Sequence, residues 1–245
     1  MASKPHTDDV YRPKRIPKNP IKFKLQLNAE QKEAKAVILE NTITLLAGGA
    51  GSGKTLLACN VALDGLLRRM YDKIIITRPT VSKEEIGFLP GDLREKMDPW
   101  VQPIYQNFYQ LYDKVKIEKL IEDGKIEIVP VSFMRGRTLL DSMIIVDEAQ
   151  NVTHEQMEMI TSRLGLRSKM MICGDQHQTD LKKKSDSGFK FLYTAARKIK
   201  NLEAITLTTN HRDSIVEDLL KYYQEAVDKG ISITTSGSYI YNNKK

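Results

Sequence analysis

A glycine-rich run of eight residues, from Gly48 to Thr55, ends in a lysine and a threonine and reads Gly-Gly-Ala-Gly-Ser-Gly-Lys-Thr. Its glycines let successive backbone N–H groups turn toward phosphate oxygens, Lys54 can reach the β- and γ-phosphates, and the Thr55 hydroxyl can hold Mg²⁺. Because a β-branched apolar stretch precedes the run and a stretch with helical spacing follows it, the sequence predicts a phosphate-binding loop for a nucleoside triphosphate. The predicted nucleotide-binding residues here are Gly48, Gly49, Ala50, Gly51, Ser52, Gly53, Lys54, Thr55 and Leu56.

A second pattern places two acidic residues directly after an apolar strand. Residues 143–146 are all apolar, and Asp147 and Glu148 follow them. In a protein with a phosphate-binding loop, a carboxylate at the carboxyl end of a strand is where a Mg²⁺-linked residue belongs. Asp147 is therefore predicted to hold Mg²⁺ together with Thr55. Glu148 is predicted to orient and deprotonate an attacking water, so that Glu148 and Lys54 are candidate catalytic residues.

A third pattern, Gly174-Asp175, also follows an apolar run, residues 170–173. Taken alone, Gly-Asp is typical of an ordinary turn. At the end of another parallel strand it would converge on the same crevice as the loop and the acidic pair. In that setting Gln178 becomes a candidate sensor of the γ-phosphate.

From about residue 25 onward, apolar strand-like runs alternate with helical stretches. This alternation indicates parallel pairing with right-handed crossovers, and hence an α/β fold whose mostly parallel sheet has helices on both faces. We predict helices over residues 29–39, 54–69, 93–112, 116–122, 155–164, 189–198 and 214–229. We predict strands over residues 42–47, 73–77, 125–129, 143–146, 169–173 and 204–208.

Length and charge narrow the class of protein. The chain has 245 residues, long enough for a substantial core, and a formal net charge of +7, which suits a polyanionic partner without requiring one. No apolar run approaches the roughly 18 residues of a membrane span, so we expect a soluble, cytoplasmic protein with no membrane partner. Much of the excess of positive over negative charge lies in the first 24 residues, and such a run is either a solvated leader or a nucleic-acid-binding arm.

The three patterns, in this order, resemble the first motor domain of superfamily 1 helicases, and further motifs resemble the PhoH family of phosphate-starvation-type ATPases. The resemblance covers about residues 26–216 and implies a three-layer, RecA-like P-loop NTPase that binds ATP and Mg²⁺. We expect a basic flexible leader over residues 1–24, one RecA-like ATPase domain over residues 25–235 and a polar tail over residues 236–245. The further motifs are Arg78-Pro79, residues 87–91, Met134 to Leu139, residues 147–151 with Thr153, and Ser168-Lys169 through Asp175.

The helicase resemblance also implies roles for two weaker candidates. Gln31 lies ahead of the first strand, where such motors place a glutamine that reads adenine, and a carboxamide can pair with the adenine edge in a bidentate way. Asn28 and Gln31 equally suit a capping box at a helix start, so both interpretations stay open. Arg212 resembles the motif arginine that touches the γ-phosphate, although a surface ion pair would also explain it.

Full helicases close a second RecA-like domain over the nucleotide and supply another arginine from it, yet only about 30 residues follow Arg212. We therefore expect subunits to associate head to tail in a ring-like homo-oligomer, for which a hexamer is one candidate size, because heterologous interfaces that close make rings. Arg163, at a predicted helix end, is the candidate that one subunit lends to its neighbour's site.

The same resemblance implies a path for single-stranded RNA or DNA. The candidate nucleic-acid residues are Arg78, Thr80, Lys83, Arg135 and Arg137, although interface or phosphate-network roles would also explain the arginines. We therefore expect a Mg²⁺-dependent, helicase-like ATPase coupled to single-stranded RNA or DNA. Two alternatives stay open, an ATPase that remodels proteins or oligomers and a small-molecule kinase.

Overall fold

A computed structural model describes the protein over most of its length. The described residues form two compact units that divide between Thr209 and Asn210. The first unit contains the whole of the main sheet and six α-helices. The described residues are 23–79, 93–176, 178–181, 183–211, 213–228, 231–233 and 239–241.

The first unit is built on a six-stranded sheet with the strand order β3-β2-β4-β5-β1-β6. Every neighbouring pair is parallel. The strands are short and nearly continuous in apolar residues, which is the pattern expected when both faces of a sheet are covered. They span Ile43–Gly48 (β1), Lys73–Arg78 (β2), Ile126–Pro130 (β3), Ser142–Val146 (β4), Lys169–Gly174 (β5) and Leu202–Leu207 (β6).

Within the described residues, six helices cover the two faces of this sheet. Alternate residues of β4 show the division, because Met143 and Ile145 pack into one buried cluster while Ile144 and Val146 pack into another. The first cluster includes residues of α1 to α4 and the second includes residues of α5 and α6. The predicted three-layer α/β fold is therefore confirmed. The helices span Ala29–Glu40 (α1), Lys54–Leu67 (α2), Leu93–Leu111 (α3), Lys114–Glu122 (α4), His154–Thr161 (α5) and Gly188–Ala195 (α6).

Three helices end earlier than the predictions of residues 69, 164 and 198, and local backbone geometry explains why. Arg69 adopts φ +58° and Arg197 φ +66°, a left-handed conformation that an α-helix cannot contain. After α5 the chain tightens, because the Arg163 N–H donates to Ile160 O at 3.0 Å, three residues back. The helical spacing of apolar residues continues beyond these residues, so the sequence pattern did not indicate where the three helices end.

The second unit contains α7 (Ser214–Asp228) and a short antiparallel pair, β7 (Ile231–Ile233) and β8 (Tyr239–Tyr241). Residues 239–241, within the predicted polar tail over residues 236–245, thus form β8, while the bounds of that tail stay a prediction. Its Tyr-Ile-Tyr sequence combines residue types that favour strands, and the surrounding polar residues concealed this short run. None of the described helices is long and apolar enough to cross a membrane.

A carboxylate in the first turn of α1 ties this helix to the end of β6. Glu30 Oε1 accepts hydrogen bonds from the backbone N–H of Thr208 at 2.6 Å and from its hydroxyl at 2.7 Å, and Oε2 accepts from the Thr209 N–H at 3.1 Å. The backbone bond from Thr208 is the largest of the causes that lower the pKa of Glu30 to about 2. The ionised form is thus favoured by folding.

We predict that Glu30→Gln destabilises the fold in a pH-dependent way. The pKa of Glu30 falls from an ordinary 4.5 to about 2 on folding, so its stabilisation is fully present above pH 4.5 and is lost as the pH falls toward 2. Denaturant unfolding should therefore show a deficit in Glu30→Gln near neutral pH that shrinks through this window. Glu33→Gln, an exposed change on the same helix, is the control; an equal deficit at every pH would contradict the prediction.

Candidate nucleotide site

The loop between β1 and α2 has a backbone that only glycine accommodates at several positions. Gly48, Gly51 and Gly53 have φ values of +147°, +84° and +80°. A Cβ atom on Gly48 would also lie 2.4 Å from Leu207 O and 2.8 Å from Ser52 Oγ. The positive φ angles therefore favour glycine at these three positions of the predicted phosphate-binding loop, and the lack of space for a Cβ atom also requires glycine at Gly48.

The amino-terminal end of α2 is suited to an anion. Gly53 precedes the helix and provides no side-chain cap, and the first turn contains no acidic residue. The backbone N–H groups at the start of a helix have no acceptor within the helix, and the helix dipole favours negative charge there. A phosphate group fits this donor set, as it does at other glycine-rich loops that lead into a helix.

Lys54 folds back over this loop. Its Nζ atom donates to Gly48 O and Gly49 O, each at 2.8 Å, and to Ser52 Oγ at 3.3 Å. The ammonium group is therefore held next to the loop backbone. From this position it can neutralise phosphate oxygens that the same loop binds.

The loop and the acidic pair meet at one short hydrogen bond. Thr55 Oγ1 donates to Asp147 Oδ1 at 2.7 Å, and the Asp147 N–H donates to Thr77 O of β2 at 2.8 Å. Asp147 is only 5% exposed. Burial is the largest cause that raises the pKa of Asp147, the Thr55 hydrogen bond opposes the increase, and the neighbouring charge of Glu148 adds to it. A hydroxyl beside a buried carboxylate is a ligand pair that suits a hard cation such as Mg²⁺.

Glu148 occupies an unusual backbone position, with φ +50° and ψ +39°. Left-handed backbone at a residue other than glycine is uncommon and turns the chain sharply after β4. Its carboxylate accepts a hydrogen bond from Gln150 Nε2 at 2.6 Å and lies 4.0 Å from the Arg78 guanidinium. Arg78 was predicted as a nucleic-acid residue, so the structure brings a member of that group to the acidic pair.

Gln150 is a site residue that the sequence analysis missed. Its buried side chain donates to Glu148 and accepts from the Asp175 N–H at 3.1 Å, while Thr179 Oγ1 donates to Gln150 O at 3.0 Å. Since a backbone N–H can only donate, the Asp175 contact fixes which end of the amide faces Glu148. Its signals in the sequence were its place two residues after the glutamate and its membership of the motif at residues 147–151.

The segment after β5 is tied to the residues that follow the acidic pair. The Asn151 amide donates to Asp180 Oδ2 at 2.7 Å, and the Asp180 N–H donates to Asn151 Oδ1 at 2.8 Å. Gln178, the predicted γ-phosphate sensor, lies exposed within this anchored segment. The two predicted patterns therefore do converge, while the contact of Gln178 with a phosphate stays a prediction.

Two other predicted residues have local partners. Gln31 Oε1 accepts from the Asn28 N–H at 3.2 Å while Asn28 Oδ1 accepts from the Gln31 N–H at 2.8 Å, which is the capping box that the sequence also allowed. The adenine contact of Gln31 stays a prediction. Arg163 Nε donates to Met159 O at 3.2 Å and its Nη2 donates to Ser162 Oγ at 3.1 Å.

The remaining predicted residues have three different outcomes. Arg137 is held by an ion pair with Glu127 at 2.7 Å, which Lys73 shares at 2.6 Å. Arg135 is exposed, and its side chain makes no hydrogen bond or ion pair within the described part of the chain. Thr80, Lys83 and Arg212 lie outside the described residues.

A family model described as PhoH-like protein matches residues 25–224. The chain belongs to the PhoH-like protein family. A PhoH-like protein of Bacillus subtilis is 42% identical over 201 residues, which are 81% of this chain and 62% of that protein. One of Synechocystis sp. is 40% identical over 200 residues, 81% of this chain and 60% of that protein. This PhoH-like chain therefore spans about 60% of the length of these relatives.

Among solved structures, Pif1 helicase from Candida albicans is similar with a TM-score of 0.44 and 19% identity, over 80% of this chain and 44% of that one. A likeness at this level says nothing about the site. Family membership and the observed parallel α/β sheet support the predicted P-loop NTPase. Membership of this family implies a site that binds a nucleotide, typically together with Mg²⁺.

We predict that Gln150→Leu destabilises the fold by about 1–3 kcal/mol, because the Glu148 carboxylate and the Asp175 N–H each lose a buried partner. Gln150→His should recover most of the loss, since a neutral imidazole can donate through one nitrogen and accept through the other. Urea unfolding of the three proteins measures both effects. Equal stability of Gln150→Leu and the wild type, or no recovery with histidine, would contradict this role.

Proposed function

We propose that this protein is an ATPase whose hydrolysis is coupled to single-stranded RNA or DNA. The observation that carries the proposal is the 2.7 Å hydrogen bond between Thr55 and Asp147, which joins the phosphate-binding loop to the acidic pair. Asp147 and Glu148 have consecutive positions but different surroundings, one buried and the other partly exposed. Such a difference between neighbouring carboxylates suits one group to a cation and the other to water.

Each residue of the loop and the acidic pair has a distinct task in this proposal. The loop N–H groups from Gly48 to Leu56 bind phosphate oxygens, and Lys54 neutralises the β- and γ-phosphates. Thr55 and Asp147 hold Mg²⁺, which when bound neutralises phosphate charge and orients the leaving group. Glu148 accepts a proton from the attacking water. Gln150 keeps the Glu148 carboxylate in place.

The presence of a carboxylate for water favours hydrolysis over transfer to a metabolite. Glu148 Oε2 is held by Gln150, and among the described residues its other oxygen has the distant contact with Arg78 at 4.0 Å and no closer one. This leaves the carboxylate able to accept a proton. Among the alternatives, a small-molecule kinase would need an acceptor pocket in place of this water-directed base.

The nearness of Arg78 to Glu148 supports coupling to a nucleic acid. Arg78 ends β2, the strand next to β4, so a phosphate bound by its guanidinium would lie beside the acidic pair. Arg135, five residues after the end of β3, adds an exposed cation, and the chain carries a net charge of +7. Phosphate backbones are recognised mainly by such cations.

Further roles belong to this proposal as candidates. Gln31 reads the adenine edge, Gln178 senses the γ-phosphate and Arg212 stabilises the charge of the departing phosphoryl group. We also propose a ring-like homo-oligomer in which Arg163 of one subunit reaches the neighbouring site. Its half-exposed place at the end of α5 permits such a contact.

We predict that Lys54→Ala loses ATP hydrolysis because the loop loses its phosphate cation, and that Glu148→Gln keeps nucleotide binding but loses roughly 10²- to 10⁴-fold in turnover. Nucleotide titration and a phosphate-release assay separate the two effects. Lys32→Ala and Glu155→Gln, exposed changes of the same types, are the controls. Normal turnover in Glu148→Gln would remove the assignment of the base.

We predict that single-stranded RNA or DNA stimulates ATP turnover and binds in a salt-dependent way, with log affinity falling by roughly 0.7 per log of salt for each phosphate neutralised. The measurement is the ATPase rate with and without a homopolymer, on protein whose oligomeric state has been determined. Turnover without stimulation or salt-sensitive binding would favour the remodelling alternative. Phosphate transfer to an added metabolite would favour the kinase.

A further inference from the structure

The turn that follows β3 displays an aromatic ring on a rigid support. Val131, Ser132 and Phe133 form one 3₁₀ turn, which a hydrogen bond from the Met134 N–H to Val131 O closes at 3.1 Å. Val131 and Met134 are buried on either side, whereas the Phe133 side chain between them is 63% exposed. The backbone is therefore anchored at both ends of the turn while the ring faces solvent.

A second anchor follows this turn and leaves one cation exposed. Gly136, at φ +72°, reverses the chain, and Arg137 is held by its ion pair with Glu127. Although burial acts to raise the pKa of Glu127, the hydrogen bonds from Arg137 and Lys73 keep it below its ordinary value. Arg135, between the two anchors, makes no ion pair or hydrogen bond through its side chain within the described residues.

The register of the sheet places this turn at the proposed site. Arg78 of β2 lies opposite Pro130 of β3, the residue directly before the turn. The turn with Phe133 therefore directly follows the carboxyl end of β3, next to the end of β2 where Arg78 lies. An exposed ring and the strand-end arginine thus belong to two neighbouring strand ends, and the exposed guanidinium of Arg135 follows the ring by two residues.

We propose that Phe133 stacks on a base of a bound single strand while Arg135 contacts an adjacent phosphate. The inference rests on the proposed function and deepens it by naming a base contact. Aromatic stacking suits a ligand of any sequence, because every base has a π-face, and a guanidinium next to the ring suits its phosphate backbone. A purely apolar partner would satisfy the ring but would leave the charge of Arg135 without a counterpart.

The test is the affinity of the full chain for a fluorescently labelled oligonucleotide of uridine or of thymidine. Phe133→Ala should weaken binding roughly 5- to 150-fold with an unchanged salt slope, since stacking releases no counterions. Phe133→Trp should retain the affinity. Arg135→Ala should lower the salt slope by roughly 0.7, the value for one phosphate on a single strand. Phe191→Ala is the matched control, because Phe191 is another aromatic residue, 60% exposed, on α6.

The outcomes separate this inference from the proposed function. If the wild type binds no single strand, the proposed function fails and the inference fails with it. If the wild type binds but Phe133→Ala binds equally well, the inference alone is overturned. A loss of self-association in Phe133→Ala by sedimentation, with unchanged affinity per subunit, would show that the ring serves a second copy of the chain. Circular dichroism and the retained affinity of Phe133→Trp exclude misfolding as the cause of a loss.

Discussion

The burial of one carboxylate, that of Asp147, constrains most of the site. Removing this group from water raises its pKa, and the Thr55 hydroxyl opposes that increase through a 2.7 Å hydrogen bond. A buried charge is tolerated only where other groups form hydrogen bonds or ion pairs with it. The loop, the start of α2 and the end of β4 must therefore keep fixed positions relative to one another. The backbone bond from Asp147 to Thr77 extends the constraint to β2. The parallel sheet fixes these relative positions.

The sequence predicts the parts of the site whose chemistry is local. The loop is recognisable because its glycines and Lys54 have spacing that phosphate binding requires, and the acidic pair because it follows a run of apolar residues. Convergence of the strand ends then follows from parallel pairing. Gln150 and Glu30 were not predicted to connect elements, because their partners lie 25 and 178 residues away along the chain. Only the strand order brings such residues together.

Other differences between prediction and structure also arise from competition between local and distant effects. Apolar spacing continues past Leu67, yet the left-handed backbone at Arg69 ends the helix there. Arg137 belongs to a motif that suggests phosphate contact; its guanidinium pairs with Glu127, a partner that the motif did not reveal, and the phosphate contact stays a prediction. In the sequence, Phe133 is one apolar residue among several, and the neighbouring sequence does not distinguish it from the buried Val131 and Met134. Exposure depends on the direction of the chain, which side-chain type alone does not specify.

The two contacts of Glu148 differ in strength, and this difference suggests how the proposed reaction is coupled to a bound strand. The Arg78 contact spans 4.0 Å between partly exposed side chains, the kind of ion pair that contributes at most about 1 kcal/mol. The Gln150 contact is short, partly buried and charge-assisted, and Gln150 is itself fixed through Asp175. A phosphate at Arg78 could therefore replace the weaker contact without disturbing the stronger one. The carboxylate would then keep its position while its electrostatic surroundings change, which links the nucleic-acid edge to the proposed base.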